Sequence, residues 1–148
     1  MRFDGTVPIR APRARVWEFV DDLEKVGACT PGVESIAVGE DGRFVARARI
    51  GFGPIGFTFS IDGQIVDRVV GERATMRGWA RAPGTEVDGT SRMILRDAGS
   101  GATVMAWSTE VRFSGRIAAI GARLVQGTAN RMIAQLFRCI KAKLEIPA

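Results

Sequence analysis

The chain has 148 residues, 46% of them apolar and 25% charged, with a net charge of +5. That length and balance suit one compact domain over residues 1–148 and exclude intrinsic disorder. No run reaches the ~18 apolar residues a membrane span needs, and no apolar core follows Arg2, so a secretory signal is not expected.

Residues 3–9 alternate as a strand. Pro12 suits the first turn of a helix, where its missing N–H would be unpaired anyway. A helix over 13–22 follows, with Val16, Trp17 and Val20 on one side, then a short helical turn over 23–26 that Pro31-Gly32 stops. Strand patterns cover 35–38, 44–51, 56–69, 72–82, 86–96 and 103–113. Turn chemistry punctuates them at Glu40-Asp41-Gly42, Ala82-Pro83-Gly84 and Gly99-Ser100-Gly101. Short turns imply an antiparallel meander, because parallel pairs need long crossovers. Residues 115–144 then read as one long helix.

The strands show one apolar face. Phe44, Ala46, Ala48 and Ile50 alternate with Arg43, Val45, Arg47 and Arg49; Phe57, Phe59 and Ile61 repeat the pattern, as do Met105, Trp107, Val111 and Phe113. Such a sheet needs cover, and the C-terminal helix is the one candidate large enough. The expected fold class is therefore α+β, a curved antiparallel sheet around a long C-terminal helix, with two short helices after the first strand.

Between Val111 and Leu144 there is no Asp or Glu. That stretch carries seven positive charges, so the net +5 leaves −2 for the remainder: the basicity belongs to one element. At about 100° per residue, Arg116, Arg123, Arg131, Arg138 and Lys141 gather on one side of it. Opposite them lie Ala118, Gly121, Val125, Thr128, Ala129, Met132, Leu136 and Ile140, small at first and then large. Small residues under a helix permit either close packing on the sheet or a cavity between them, and both readings stay open. For the cavity, the candidate lining is Phe57, Phe59, Met76, Met93, Trp107, Val125, Met132 and Leu136. Met76 is preferred to Trp79, because Trp79 shares its face with Arg77 and Arg81 and that face suits solvent.

The inventory argues against catalysis. There is no His and no Tyr, which removes the commonest general base and the usual phenolic acid. Cys29 and Cys139 fit no metal spacing and lie far apart in sequence, so unpaired, reduced thiols and a cytoplasmic location are expected. Asp62, Asp67 and Asp88 fall singly on strands. The glycines of residues 51–56 lack the strand-to-helix setting of a phosphate loop and read as a hairpin. No catalytic residue, metal site or cofactor is expected.

Several segments carry a resemblance. APRARVWEFV after the first strand, the turn CTPGVE, the hairpin IGFGPI, and the stretches VRFSG and IAAIGARL resemble the carbon monoxide dehydrogenase G-subunit family, within the START-like (helix-grip) superfamily. Members are typically encoded beside molybdenum-containing hydroxylases. The resemblance implies an accessory role: recruiting or coupling such an enzyme to the membrane, through a bound apolar ligand, a lipid or a quinone. Many relatives carry a C-terminal hydrophobic anchor, whereas this sequence ends at Ala148. Stable anchoring is therefore not expected, and weak peripheral contact of the basic helix with an anionic membrane is. The alternative activity is that of a polyketide cyclase or dehydratase-like enzyme using the same cavity. A nucleic-acid partner is not expected, since charge alone supports it and no motif does.

Overall fold

The computed structural model describes residues 1–145. The chain runs β1 (Arg2–Ile9), α1 (Arg13–Val20), α2 (Leu23–Cys29), β2 (Val33–Val38), β3 (Arg43–Phe52), β4 (Ile55–Val69), β5 (Arg73–Ala82), β6 (Thr85–Asp97), β7 (Thr103–Gly115), α3 (Arg116–Ile120) and α4 (Ala122–Leu144). The strands form one seven-stranded antiparallel sheet in the order β1-β7-β6-β5-β4-β3-β2. Two-residue turns set much of its register. Gly53-Pro54 joins β3 to β4 with Gly53 at φ +62°, and Pro83-Gly84 joins β5 to β6 with Gly84 at φ +69°. A bulge at Val66 shifts the β4–β5 register between Ile65 and Asp67.

The sheet's apolar face is concave and α4 lies across it. Two apolar clusters hold the helix. One gathers Ile9, Val16, Trp17, Leu95, Met105, Ile140 and Leu144 around the C-terminal half of α4. The other gathers Phe52, Phe57, Phe59, Ile117 and Val125 around its start. Burying one such side chain contributes about 1.5–3 kcal/mol, so each cluster is a substantial anchor. On the convex face, Trp79 is 40% exposed with the Arg77 guanidinium 5.5 Å from its ring centre, as the sequence pattern suggests for that side.

The long helix expected over 115–144 is broken. Gly121, at φ +112°, separates α3 from α4. Side chains rarely adopt that backbone conformation, and glycine adopts it freely. Gly115, at φ +82°, is needed for a second reason: a Cβ there would meet the Gly84 carbonyl oxygen at 2.1 Å. The Ile117 N–H donates to the buried Thr85 hydroxyl at 3.2 Å, which fixes α3 against β6.

The cysteines also differ from expectation. Cys29 and Cys139 form a disulfide, with Cα atoms 5.5 Å apart across a sequence separation of 110. The end of α2 packs on α4, so distance along the chain says nothing of distance in space. Pairing removes the free thiols on which a reducing compartment was inferred.

At the other side, Arg68 next to the β4 bulge grips Asp21 at the end of α1. Its Nε donates to Asp21 Oδ1 at 2.8 Å and its Nη2 to Oδ2, while the guanidinium lies 5.6 Å from the Trp17 ring centre. Hydrogen bonding from Arg68 holds the Asp21 carboxyl below its ordinary 3.8.

Two outcomes are expected. Reduction, or Cys29→Ser with Cys139→Ser, should lower stability by about 2–5 kcal/mol, since the crosslink closes a long loop. Urea unfolding with and without reductant measures it, and an unchanged midpoint would mean the pair does not form. Asp21 has a depressed pKa, so its contribution is complete above 3.8 and fades as pH falls through the folded value. Asp21→Asn should lower stability at neutral pH and flatten the decline below pH 3.8, which acid titration of the unfolding midpoint would show.

Candidate functional site

Three glycines lie in register across the middle of the sheet. Gly63 on β4 pairs with Gly78 on β5, and Gly78 pairs with Gly89 on β6. All three would point a side chain to the concave face. The Phe44 ring covers Gly63, where a Cβ would meet it at 2.1 Å. The Val111 side chain leans over Gly89, where a Cβ would meet it at 2.7 Å. Above Gly78 a Cβ would meet only the Asp62 carbonyl oxygen, at 3.9 Å. The floor of the sheet is therefore open at its central strand. Helix α4 comes close to the sheet along β3 and β1, near its two edges. Between the two core clusters α4 presents Thr128, Ala129 and Met132, small or flexible side chains, towards the sheet.

Two crevices flank α4. One, of about 430 Å³, lies between β7 and the α3–α4 break, lined by Val111, Phe113, Ile117, Gly121 and Val125. Val111 borders both this crevice and the glycine floor. The other, of about 180 Å³, lies between α4 and the turn before β2, lined among others by Gly32, Arg49, Ile50, Thr128, Arg131 and Met132.

The eight lining candidates all lie in the layer between sheet and helix, but in separate groups. Phe57 and Phe59 are buried with ring centres 5.7 Å apart, in the cluster that holds Val125. Met93 and Leu136 pack against the other cluster. Trp107 rests on Phe137 of α4, ring centres 5.4 Å apart, and fills the space beside Gly5. Met76 is half-buried on the floor, in register with Ile65 and Ser91. Met132 lines the smaller crevice and Val125 the larger. Sequence reasoning missed Gly78, Val111 and Ile117 as site residues. One signal was available: the Pro83-Gly84 turn pairs Ala82 with Thr85, and counting back pairs Gly78 with Gly89.

The basic stripe is also divided. Arg116 belongs to α3, with its guanidinium 5.7 Å from the Phe57 ring centre, so it does not continue the stripe of α4. Arg123, Arg131 and Arg138 are exposed on α4 and Lys141 is half-buried there.

The polar groups on the sheet's concave face include a hydroxyl pair, Ser91 and Thr109, 2.9 Å apart, and the buried Thr85 and Thr103 hydroxyls, which bond the Ile117 N–H and the Ala11 carbonyl. The displaced pKa values belong to surface ion pairs. Besides Asp21 and Arg68, Arg2 is raised by its hydrogen bonds to Asp4 and Glu110. Among the described residues no group of three His, Cys, Asp or Glu side chains converges as metal ligands. No helix among them is long and apolar enough to cross a membrane.

No curated protein matches the sequence. Solved structures match the fold at low identity. A conserved protein from Geobacillus kaustophilus superposes with a TM-score of 0.91 at 17% identity, over 98% of this chain and 95% of that one. A START superfamily protein from Mycobacterium smegmatis gives 0.72 at 12% identity, over 97% of each chain. The Zhui aromatase/cyclase from Streptomyces sp. R1128 gives 0.68 at 16% identity, over 98% of this chain and 93% of that one. The profile of the family described as the G subunit of carbon monoxide dehydrogenase (CoxG) matches residues 5–145. With a helix gripped by a seven-stranded sheet and that match along almost its whole length, the chain belongs to the CoxG family of carbon monoxide dehydrogenase, on a START-like fold.

Proposed function

We propose that this protein is a non-catalytic accessory protein that carries an apolar ligand, a lipid or a quinone. In this reading it recruits or couples a molybdenum-containing carbon monoxide dehydrogenase-type enzyme to the membrane from the cytoplasmic side. The observation that supports the ligand is the room above Gly78, where a side chain would meet nothing nearer than the Asp62 carbonyl oxygen at 3.9 Å, with a crevice beside Val111 and Val125 at the start of α4. The partner rests on the family, which is named for a subunit of that enzyme. The cyclase alternative rests on a fold shared with the Streptomyces aromatase/cyclase at 16% identity. Its chemistry would have to run on hydroxyls such as Ser91 and Thr109 without His or Tyr, so the carrier reading is preferred.

The cavity reading has a direct test. Gly78→Leu should fill the floor without a clash, and Ala129→Phe should fill it from the helix side. Both should abolish the fluorescence of an apolar probe such as 1-anilinonaphthalene-8-sulfonate while leaving the melting temperature nearly unchanged. If the layer is close-packed, overpacking costs about 1–3 kcal/mol and the melting temperature falls with no change in probe binding.

The membrane contact has its own test. Each basic residue near an anionic surface contributes up to about 1 kcal/mol, so Arg123, Arg138 and Lys141 should give weak, reversible binding. Co-sedimentation with phosphatidylserine-containing vesicles should be seen at low salt and lost as salt rises, with none on neutral vesicles. Arg123→Glu with Arg138→Glu should abolish it, and equal sedimentation of both proteins would remove α4 as the contact.

A further inference from the structure

The side chains that point away from α4 fall into rows across the convex face of the sheet, because strand side chains alternate and register fixes their neighbours. One row runs Ala37, Val45, Asp62, Trp79, Asp88 and Arg112, from β2 to β7. On one side of it lie Arg43, Gln64 and Arg77, and on the other Arg47, Ser60 and Arg81. An apolar and aromatic centre therefore stands between two basic rows. Val45 is 51% exposed and Trp79 is 40% exposed. An open hollow of about 610 Å³ lies between them over Asp62, with Arg43 and Gln64 also lining it. Arg43, Arg47 and Arg77 form no ion pair among the described residues, and neither does Asp62. Unpaired charge around the hollow is thus three arginines against one carboxylate.

We propose that this face, centred on Trp79, docks a protein with an acidic surface, and that an apolar or aromatic side chain of that partner seats in the hollow between Val45 and Trp79. Binding energy at protein interfaces concentrates on Trp and Arg side chains, set within a rim that excludes water. Complementary charge at such a rim speeds association more than it adds affinity. Continuous polyanions fit less well. Asp62 and Asp88 stand in register on either side of Trp79 and would repel the phosphates of an anionic bilayer or of nucleic acid. A second copy presenting the same face would set arginine against arginine. The inference rests on the recruiting half of the accessory reading and names the surface for it, on the side of the sheet away from α4.

The test measures binding of the molybdenum-containing carbon monoxide dehydrogenase-type enzyme, purified from the same organism, to the immobilised disulfide-bonded protein. Trp79→Ala should weaken binding about tenfold or more, and so should Val45→Arg, which puts a long charged chain into the hollow. Arg43→Glu with Arg47→Glu should slow association and reduce its dependence on salt. Arg138→Glu, on α4, should change neither. All these side chains are exposed, so the melting temperatures should stay at the wild-type value. Enzyme binding that no convex-face variant alters, or that Arg138→Glu removes instead, would overturn the docking face and leave the recruiting reading in place. The same holds if Arg43→Glu with Arg47→Glu keeps enzyme binding but loses binding to phosphatidylserine vesicles or single-stranded DNA. No binding of the enzyme by the wild type would overturn the recruiting reading and this inference together.

Discussion

Helix α4 is held to the sheet at its two ends and spans the middle, and the rest of the structure follows from that arrangement. A one-faced antiparallel sheet must bury its apolar side, and α4, at 23 residues, is the element long enough to cover it. The sheet curves, however, so a straight helix meets it near the edges and stands away from the centre. Val125 seats one end among Phe57, Phe59 and Ile117; Ile140 and Leu144 seat the other among Ile9, Trp17 and Met105. Large side chains lie at those ends, and smaller ones, Thr128 and Ala129, between them. The Cys29–Cys139 disulfide adds a covalent tie at the C-terminal end, which makes the roof a fixed one there.

The N-terminal end of α4 is arranged differently. Gly115 lets the chain turn out of β7 against the Gly84 backbone, α3 docks by Ile117 on Thr85, and Gly121 redirects the chain into α4. The Gly115 and Gly121 steps use backbone conformations open to glycine, and a crevice beside Val111 and Val125 lies at this break. The glycine floor works with it. A side chain at Gly63 or Gly89 would collide with Phe44 or Val111, whereas Gly78 faces space. Glycine weakens strands, and at Gly63 and Gly89 the Phe44 and Val111 side chains occupy the space so left.

Polar groups are distributed in the same sense. Paired charges lie at the margins: Arg68 with Asp21 ties the first helix to the bulged strand, and Arg2 with Asp4 and Glu110 ties the edge strand. Between sheet and helices the polar side chains are hydroxyls, among them the Ser91–Thr109 pair and the buried Thr85, Thr103 and Thr128.

The sequence by itself determined the strands, their alternation, the two short helices and the need for a helical cover. These are short-range properties: a period of two along a strand, or a Pro-Gly turn, is written in neighbouring residues. Even Gly78 opposite Gly89 could be counted from such a turn. Tertiary structure decided what depends on distance in space. Cys29 meets Cys139 only because α2 packs on α4. The Gly63–Gly78 pairing holds only with the bulge at Val66, which the local pattern does not announce. The break at Gly121 was invisible because glycine is tolerated within helices, and its φ of +112° is imposed by where β7 ends and where α4 must lie. For the same reason the eight lining candidates share one layer but fall into separate groups, since a helical face fixes direction and not what stands opposite.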